Sequence, residues 1–109
     1  MADYKLTAPH LRVLRGSLDA PEVIEVQCLN PDMILWDRTR LRHKWPEVKD
    51  SPFMWLTFLA WAAARRTGAI PSDLSYETWE QTTLDVSQIR DENGEEEGAS
   101  PTLPGLEPG

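Results

Sequence analysis

The alternation of apolar and polar side chains begins at residue 11. Leu11 to Arg15 (LRVLR) is the first short segment with strand character. Val23 to Cys28 (VIEVQC) is the second, with Ile24, Val26 and Cys28 on one face and Val23, Glu25 and Gln27 on the other. A period of two predicts strands. Gly16 to Pro21 (GSLDAP), between them, is rich in turn formers, so residues 11–28 are expected to form a β-hairpin. A lone hairpin is marginal in water and has to lean on other elements.

The pattern then turns helical. Asn30 is placed to cap a helix over about residues 31–44, with Pro31 at its first position and Asp32 near its positive end. Leu29 and Ile34 have the spacing of a hydrophobic staple. Ile34, Leu41 and Trp45 are expected to share the buried face, and Trp45-Pro46 to end the helix. Ser51 and Pro52 repeat the cap-then-proline signature for a second helix, PFMWLTFLAWAAARRT, over about 52–67 and closed by Gly68. It is apolar nearly all round through Ala64, the mark of a central helix or of one that also meets a partner. Ser75 caps a shorter third helix over about 76–83, with Leu74 and Trp79 placed as its staple. Leu84, Val86 and Ile89 suggest an extended segment lying on the core.

These elements predict an α+β domain, mainly α: an N-terminal hairpin packed on about three helices over residues 11–90. Residues 1–10 are expected to be a flexible leader. Residues 91–109 (DENGEEEGASPTLPGLEPG) are acidic and rich in Pro and Gly, the composition of a disordered tail. The net charge of −7 is concentrated there. Residues 1–90 hold all eleven Lys and Arg against twelve Asp and Glu, and the tail holds six acids with no base. A nearly neutral body with an acidic tail has no global electrostatic reason to bind nucleic acid. The longest apolar run, Pro52 to Ala64, is too short for a membrane span. The N-terminal residues lack the basic-then-apolar order of a secretory signal.

Candidate chemistry is sparse. The single cysteine, Cys28, excludes an internal disulfide and suits a buried apolar position in a reducing compartment. His10 and His43 have no ligand spacing with each other or with Cys28, so no metal site is expected. Arg38, Arg40, Arg42, His43 and Lys44 form a basic cluster that wraps a helix end, where cations are favoured anyway. Glu95, Glu96 and Glu97 lack the ligand alternation of a calcium loop. No acid, base, nucleophile or metal set can be assembled, so neither catalysis nor a cofactor is expected.

The order of signals carries a resemblance. A hairpin leads into NPDMILWDRTR, a Trp-Pro break, SPFMWLTFLAWAAARRTGAIP, SYETWEQTTLDVSQI and an acidic end. This order over residues 11–89 resembles the short tail assembly chaperones of actinobacterial phages with long non-contractile tails. The resemblance implies a protein that binds and solubilises the phage tape measure protein and helps recruit tail tube subunits. It also implies a longer frameshifted form, action in the host cytoplasm and absence from the finished particle. Its most specific part is the aromatic helix, which makes Trp55, Phe58, Trp61, Arg65 and Arg66 the candidate partner-binding residues. A helix apolar on all sides also leaves surface for a homo-oligomer. The second reading is a small adaptor or regulatory module that binds one cellular protein.

Overall fold

In the computed structural model, which describes residues 6–89, three antiparallel strands and three helices share one core. The order is β1 (His10–Ser17), β2 (Ala20–Gln27), α1 (Asn30–His43), a 3-10 turn (Val48–Asp50), α2 (Pro52–Thr67), α3 (Tyr76–Thr82) and β3 (Thr83–Gln88). The hairpin is therefore present, and it is part of a larger sheet with strand order β2-β1-β3. Its loop is tighter than the composition suggested. Ser17 pairs with Ala20, which leaves Leu18 and Asp19 at the tip, and Gly16 takes the positive φ of 92° that the approach to this turn requires.

The sheet buries one face. Leu11 pairs with Val26 and Val13 with Ile24, and all four are buried; Val13 also pairs with the half-buried Val86 of β3. The opposite face carries the exposed Arg12–Glu25 ion pair at 3.4 Å. The segment from Leu84 onwards is thus a strand in the sheet, a more specific placement than lying on the core. A register shift between Leu14 and Arg15 pairs Leu14 with Asp85 and Arg15 with Thr83, so Leu84 has no partner of its own and stays exposed.

Residues 8–10, expected in the leader, take part in the fold. Ala8 is buried and His10 already belongs to β1, because Gln27 Nε2 donates to the carbonyls of Ala8 (3.1 Å) and Pro9 (3.3 Å). The Cys28 N–H adds a bond to Pro9 O at 2.9 Å. Residues 1–5 and 90–109, with the acidic tail expected at 91–109, lie outside the described residues.

Helix α2 is central, as its composition predicts: it packs against α1, α3, the 3-10 turn, β2 and β3. Leu59, Ala60, Ala63 and Ala64 are fully buried, and the small side chains let neighbouring elements approach on more than one side. Gly68, at φ 82°, closes the helix; Gly68 N–H and Ala69 N–H return to the carbonyls of Arg65 and Ala64. Lys44 closes α1 in the same left-handed conformation, with Trp45 N–H bonded to Arg40 O at 2.9 Å.

Two helix starts differ from expectation. Asn30 does not cap α1: the helix begins one residue earlier, and the Asp32 carboxylate, in the first turn, accepts from Leu29 N–H at 2.8 Å. The staple is also absent in its expected form, since Leu29 is the cap itself and Ile34 is exposed. Ser51 precedes α2 without capping through its side chain; its hydroxyl donates to Glu47 O instead. Ser75 does cap α3, accepting from Thr78 N–H at 3.2 Å.

The buried face of α1 is also corrected. Ile34 and Leu41 face solvent, while Trp36 is 1% exposed and packs edge-on against Phe58. Four consecutive apolar residues, Met33 to Trp36, give no periodicity that selects a face, so the neighbour decides. Asp32, one turn before Trp36, turns the same face inward through its bond to Arg66 of α2.

Candidate functional site

An open groove of about 440 Å³ lies between α1, α2 and the segment from Ser72 to Glu77, and its floor is continuous with the core. Its floor is aromatic. Phe58 and Trp61 lie one turn apart on α2, Trp45 follows the end of α1, and Tyr76 begins α3. These four rings touch as one cluster: Phe58 to Trp61 at 5.1 Å, Phe58 to Tyr76 at 5.3 Å, Trp61 to Tyr76 at 5.6 Å and Trp45 to Tyr76 at 5.8 Å between centroids. Edge and tilted contacts of this kind are favourable and fix the rings relative to one another.

The polar ends of the rings are satisfied from behind. Trp61 Nε1 donates to Leu74 O at 2.9 Å, and the Tyr76 hydroxyl donates to the Glu80 carboxylate at 3.2 Å. Burial pushes the Tyr76 phenol well above its ordinary range, and the Glu80 carboxylate adds to the shift. It is therefore neutral at physiological pH.

The rim is charged and polarised. Arg42 and His43 stand on the α1 side, and His43 stacks on Trp45 at 5.1 Å. Arg65 of α2 lies over the Trp61 ring at 4.5 Å and donates through Nε to Ser72 O at 3.1 Å. Asp73 and Glu77 stand on the α3 side. Among the described residues, neither Arg42 nor Arg65 is ion-paired with a carboxylate.

The five candidate residues separate. Phe58, Trp61 and Arg65 meet in the groove, with Phe58 buried in its floor and Trp61 partly buried. Trp55 packs against the core on another side of α2 and does not line the groove. Arg66 turns away. Its Nε and Nη2 donate to the two Asp32 oxygens at 3.1 and 2.9 Å, and Nη2 also reaches Gln27 O at 2.9 Å. It is a structural tie between α2, α1 and β2. Trp45 and Tyr76 are groove residues that sequence reasoning did not single out as partner-binding, because they come from other elements; Trp45 was expected on the buried face of α1 and at its end.

Cys28 is fully buried, its Sγ 3.6 Å from Leu59 O, and burial pushes its thiol up to about 12, with the Asp32 carboxylate contributing. It is not a nucleophile in this setting. Among the described residues no group of three or more His, Cys, Asp or Glu is placed to hold a metal, and no helix is long and apolar enough to cross a membrane. The groove offers shape, aromatic surface and charge. No family model, curated protein or solved structure matches this chain.

Proposed function

We propose that the protein works by protein–protein contact, as a tail assembly chaperone whose aromatic groove covers the apolar stripe of a helical tape measure protein. The observation that carries this reading is the groove itself. Half-buried Trp45 and Trp61 present ring surface over a floor of buried Phe58 and Tyr76, beside Arg42 and Arg65, which have no carboxylate partner among the described residues. Aromatic residues beside arginine are the usual anchors of protein interfaces. An amphipathic helix laid in such a groove buries its stripe and keeps its polar face in water. Exposed stripes on a long helical protein aggregate, so covering them solubilises it. Weak copies repeated along one partner act together by avidity. Recruitment of tail tube subunits, a frameshifted form and self-association belong to the same reading. The exposed Phe53 (84%) and Leu41 (64%) are the apolar surface available for self-association.

The test is co-expression with a tape measure protein from the same genome, followed by fractionation. The tape measure protein should move from the pellet to the supernatant and co-purify with this chain. Trp61→Ser and Arg65→Glu should each weaken the rescue while leaving the fold in place by circular dichroism. If the wild-type chain, with any frameshifted form also supplied, leaves the tape measure protein insoluble, the chaperone reading fails. The adaptor reading, which uses the same groove on a different partner, then takes its place.

A further inference from the structure

Helix α1 has an outward face separate from the groove. Ile34 and Leu41 are both exposed there, two turns apart, or about 10.5 Å along the axis. Asp37 and Arg38 are exposed midway between them. Successive residues turn by about 100°, so these two flank the line from Ile34 to Leu41 on opposite sides. Arg42, one turn after Arg38, continues the cationic flank. Among the described residues neither Asp37 nor Arg38 has an ion-pair partner. The groove-lining Leu35, Thr39 and His43 lie on another side of the helix.

Two apolar residues in line, with an anion on one flank and cations on the other, complement themselves in one orientation only. A two-fold axis along the helices lays two copies of α1 side by side and parallel. Each Ile34 then meets the partner's Ile34 and each Leu41 the partner's Leu41. The same rotation brings the Asp37 flank of each copy to the Arg38 flank of the other, so both sides of the seam close with opposite charges. An antiparallel pair has its axis across the helices, which keeps each flank on its own side. Asp37 then meets the partner's Asp37 and Arg38 the partner's Arg38, and both contacts are repulsive.

We propose that this face of α1 is where a second copy of the chain docks, with the two helices parallel and Asp37 of each beside Arg38 of the other. The pairing gives a surface and an orientation to the self-association included in the proposed function, and so rests on that reading. A seam built on two apolar pairs is smaller than the about 800 Å² per partner that a stable dimer buries, so the contact is weak. It gains strength where copies line up along one long partner. The groove side of α1 stays outside the seam, so pairing and partner binding are compatible.

The test traps the pair with single cysteines placed in the full chain. Ile34→Cys and Leu41→Cys should each give a disulfide-linked dimer under mild oxidation at high micromolar protein. Leu18→Cys, at the exposed hairpin tip, should stay monomeric and measures random collision, and the buried Cys28 should leave the wild type unlinked. A tagged Ile34→Cys chain mixed with an untagged Leu41→Cys chain should give little mixed dimer. A predominance of mixed dimer means antiparallel helices and overturns the proposal, as does linkage no greater than that at Leu18→Cys. In sedimentation, Asp37→Lys and Arg38→Glu should each weaken association about ten-fold, since two exposed pairs turn repulsive at once. An equimolar mixture of these two variants should restore it. A wild type that stays monomeric to millimolar concentration overturns the proposal, and so does association that neither charge variant changes. Every substituted position is exposed, so circular dichroism should show the same fold throughout. No tape measure protein enters these measurements, so their failure and a failure of solubilisation are separate results.

Discussion

Asp32 and Arg66 lie thirty-four residues apart in the chain and meet in a two-pronged ion pair, with Arg66 Nε on Asp32 Oδ1 and Nη2 on Oδ2. The Asp32 side chain is 4% exposed and that of Arg66 32%. The same carboxylate holds the start of α1 through Leu29 N–H, so one side chain joins a helix start to a helix end. The Asp32 carboxylate, by its hydrogen bond above all, pushes the Arg66 guanidinium further above its ordinary range.

Removing one partner leaves the other stranded. Arg66→Ala is expected to cost about 3–5 kcal/mol if Asp32 remains fully buried, and toward the lower end because Arg66 is partly solvated. The paired variant Asp32→Asn/Arg66→Met should recover part of that loss. Urea unfolding of Asp32→Asn, Arg66→Met and the paired variant measures the coupling, and additive losses in the pair would rule it out.

The tryptophans divide by role. Trp79 is fully buried and its Nε1 donates to Thr57 O at 3.0 Å, while Arg15 lies over its ring at 4.6 Å. Trp79→Ala should cost about 3–5 kcal/mol, enough to unfold a large part of a domain this small. Trp61→Ala should cost less, since partly buried Trp61 gives up less buried surface. Thermal melts of the two variants give the order; a larger loss at Trp61 would place it in the core.

Alkaline stability follows from Cys28. Its pKa rises from an ordinary 9.0 to about 12 on folding. Between those values the unfolded chain releases a proton that the folded chain keeps, so the contribution is fully present below pH 9 and falls as pH rises toward 12. The raised Tyr76 acts in the same direction. Unfolding free energy should therefore decline above pH 9, and Cys28→Ala should flatten the decline. Thiol reagents at pH 8 should react with Cys28 only when the protein unfolds.

Two helix starts give opposite expectations. Ser75→Ala removes a real cap and should cost about 1 kcal/mol. Asn30→Ala removes none, because Leu29 and Asp32 make the α1 start, and should fall within about 0.5 kcal/mol of wild type. Equal losses at both positions would mean that Asn30 caps after all.

What could be read from the residues was what is local. The period-two stretches around Val13 and Val26, the cap at Ser75 and the stop at Gly68 each carry their signal within a few positions. The partner of β3 does not: nothing near Val86 says that it will pair with Val13. The buried face of α1 was misread because Met33, Ile34, Leu35 and Trp36 are all apolar, and the choice of Trp36 is made by α2. The groove was half legible for the same reason. Phe58, Trp61 and Arg65 lie on one helix face at a spacing that can be counted, whereas Trp45 and Tyr76 join them only through the packing of three elements. Arg66, beside Arg65 in sequence, points to the opposite side, and adjacency gave no hint of it.

The sheet order carries a consequence for how the molecule is made. β1, the first strand to be synthesised, is the middle strand, and its second neighbour β3 is the last element of the described fold. Leu11 pairs with Val26 early and with Gln88 only after every helix has been produced. Until then one edge of β1 is open, and loop closure across nearly the whole domain is left to the end of folding. Ile89 N–H, bonded to His10 O at 2.7 Å, fastens the finished domain head to tail. The two ends of the fold are thus neighbours, so a short linker from residue 89 back to residue 10 and new termini opened between Leu18 and Asp19 should yield a circular permutant in which β1 and β3 become the local pair.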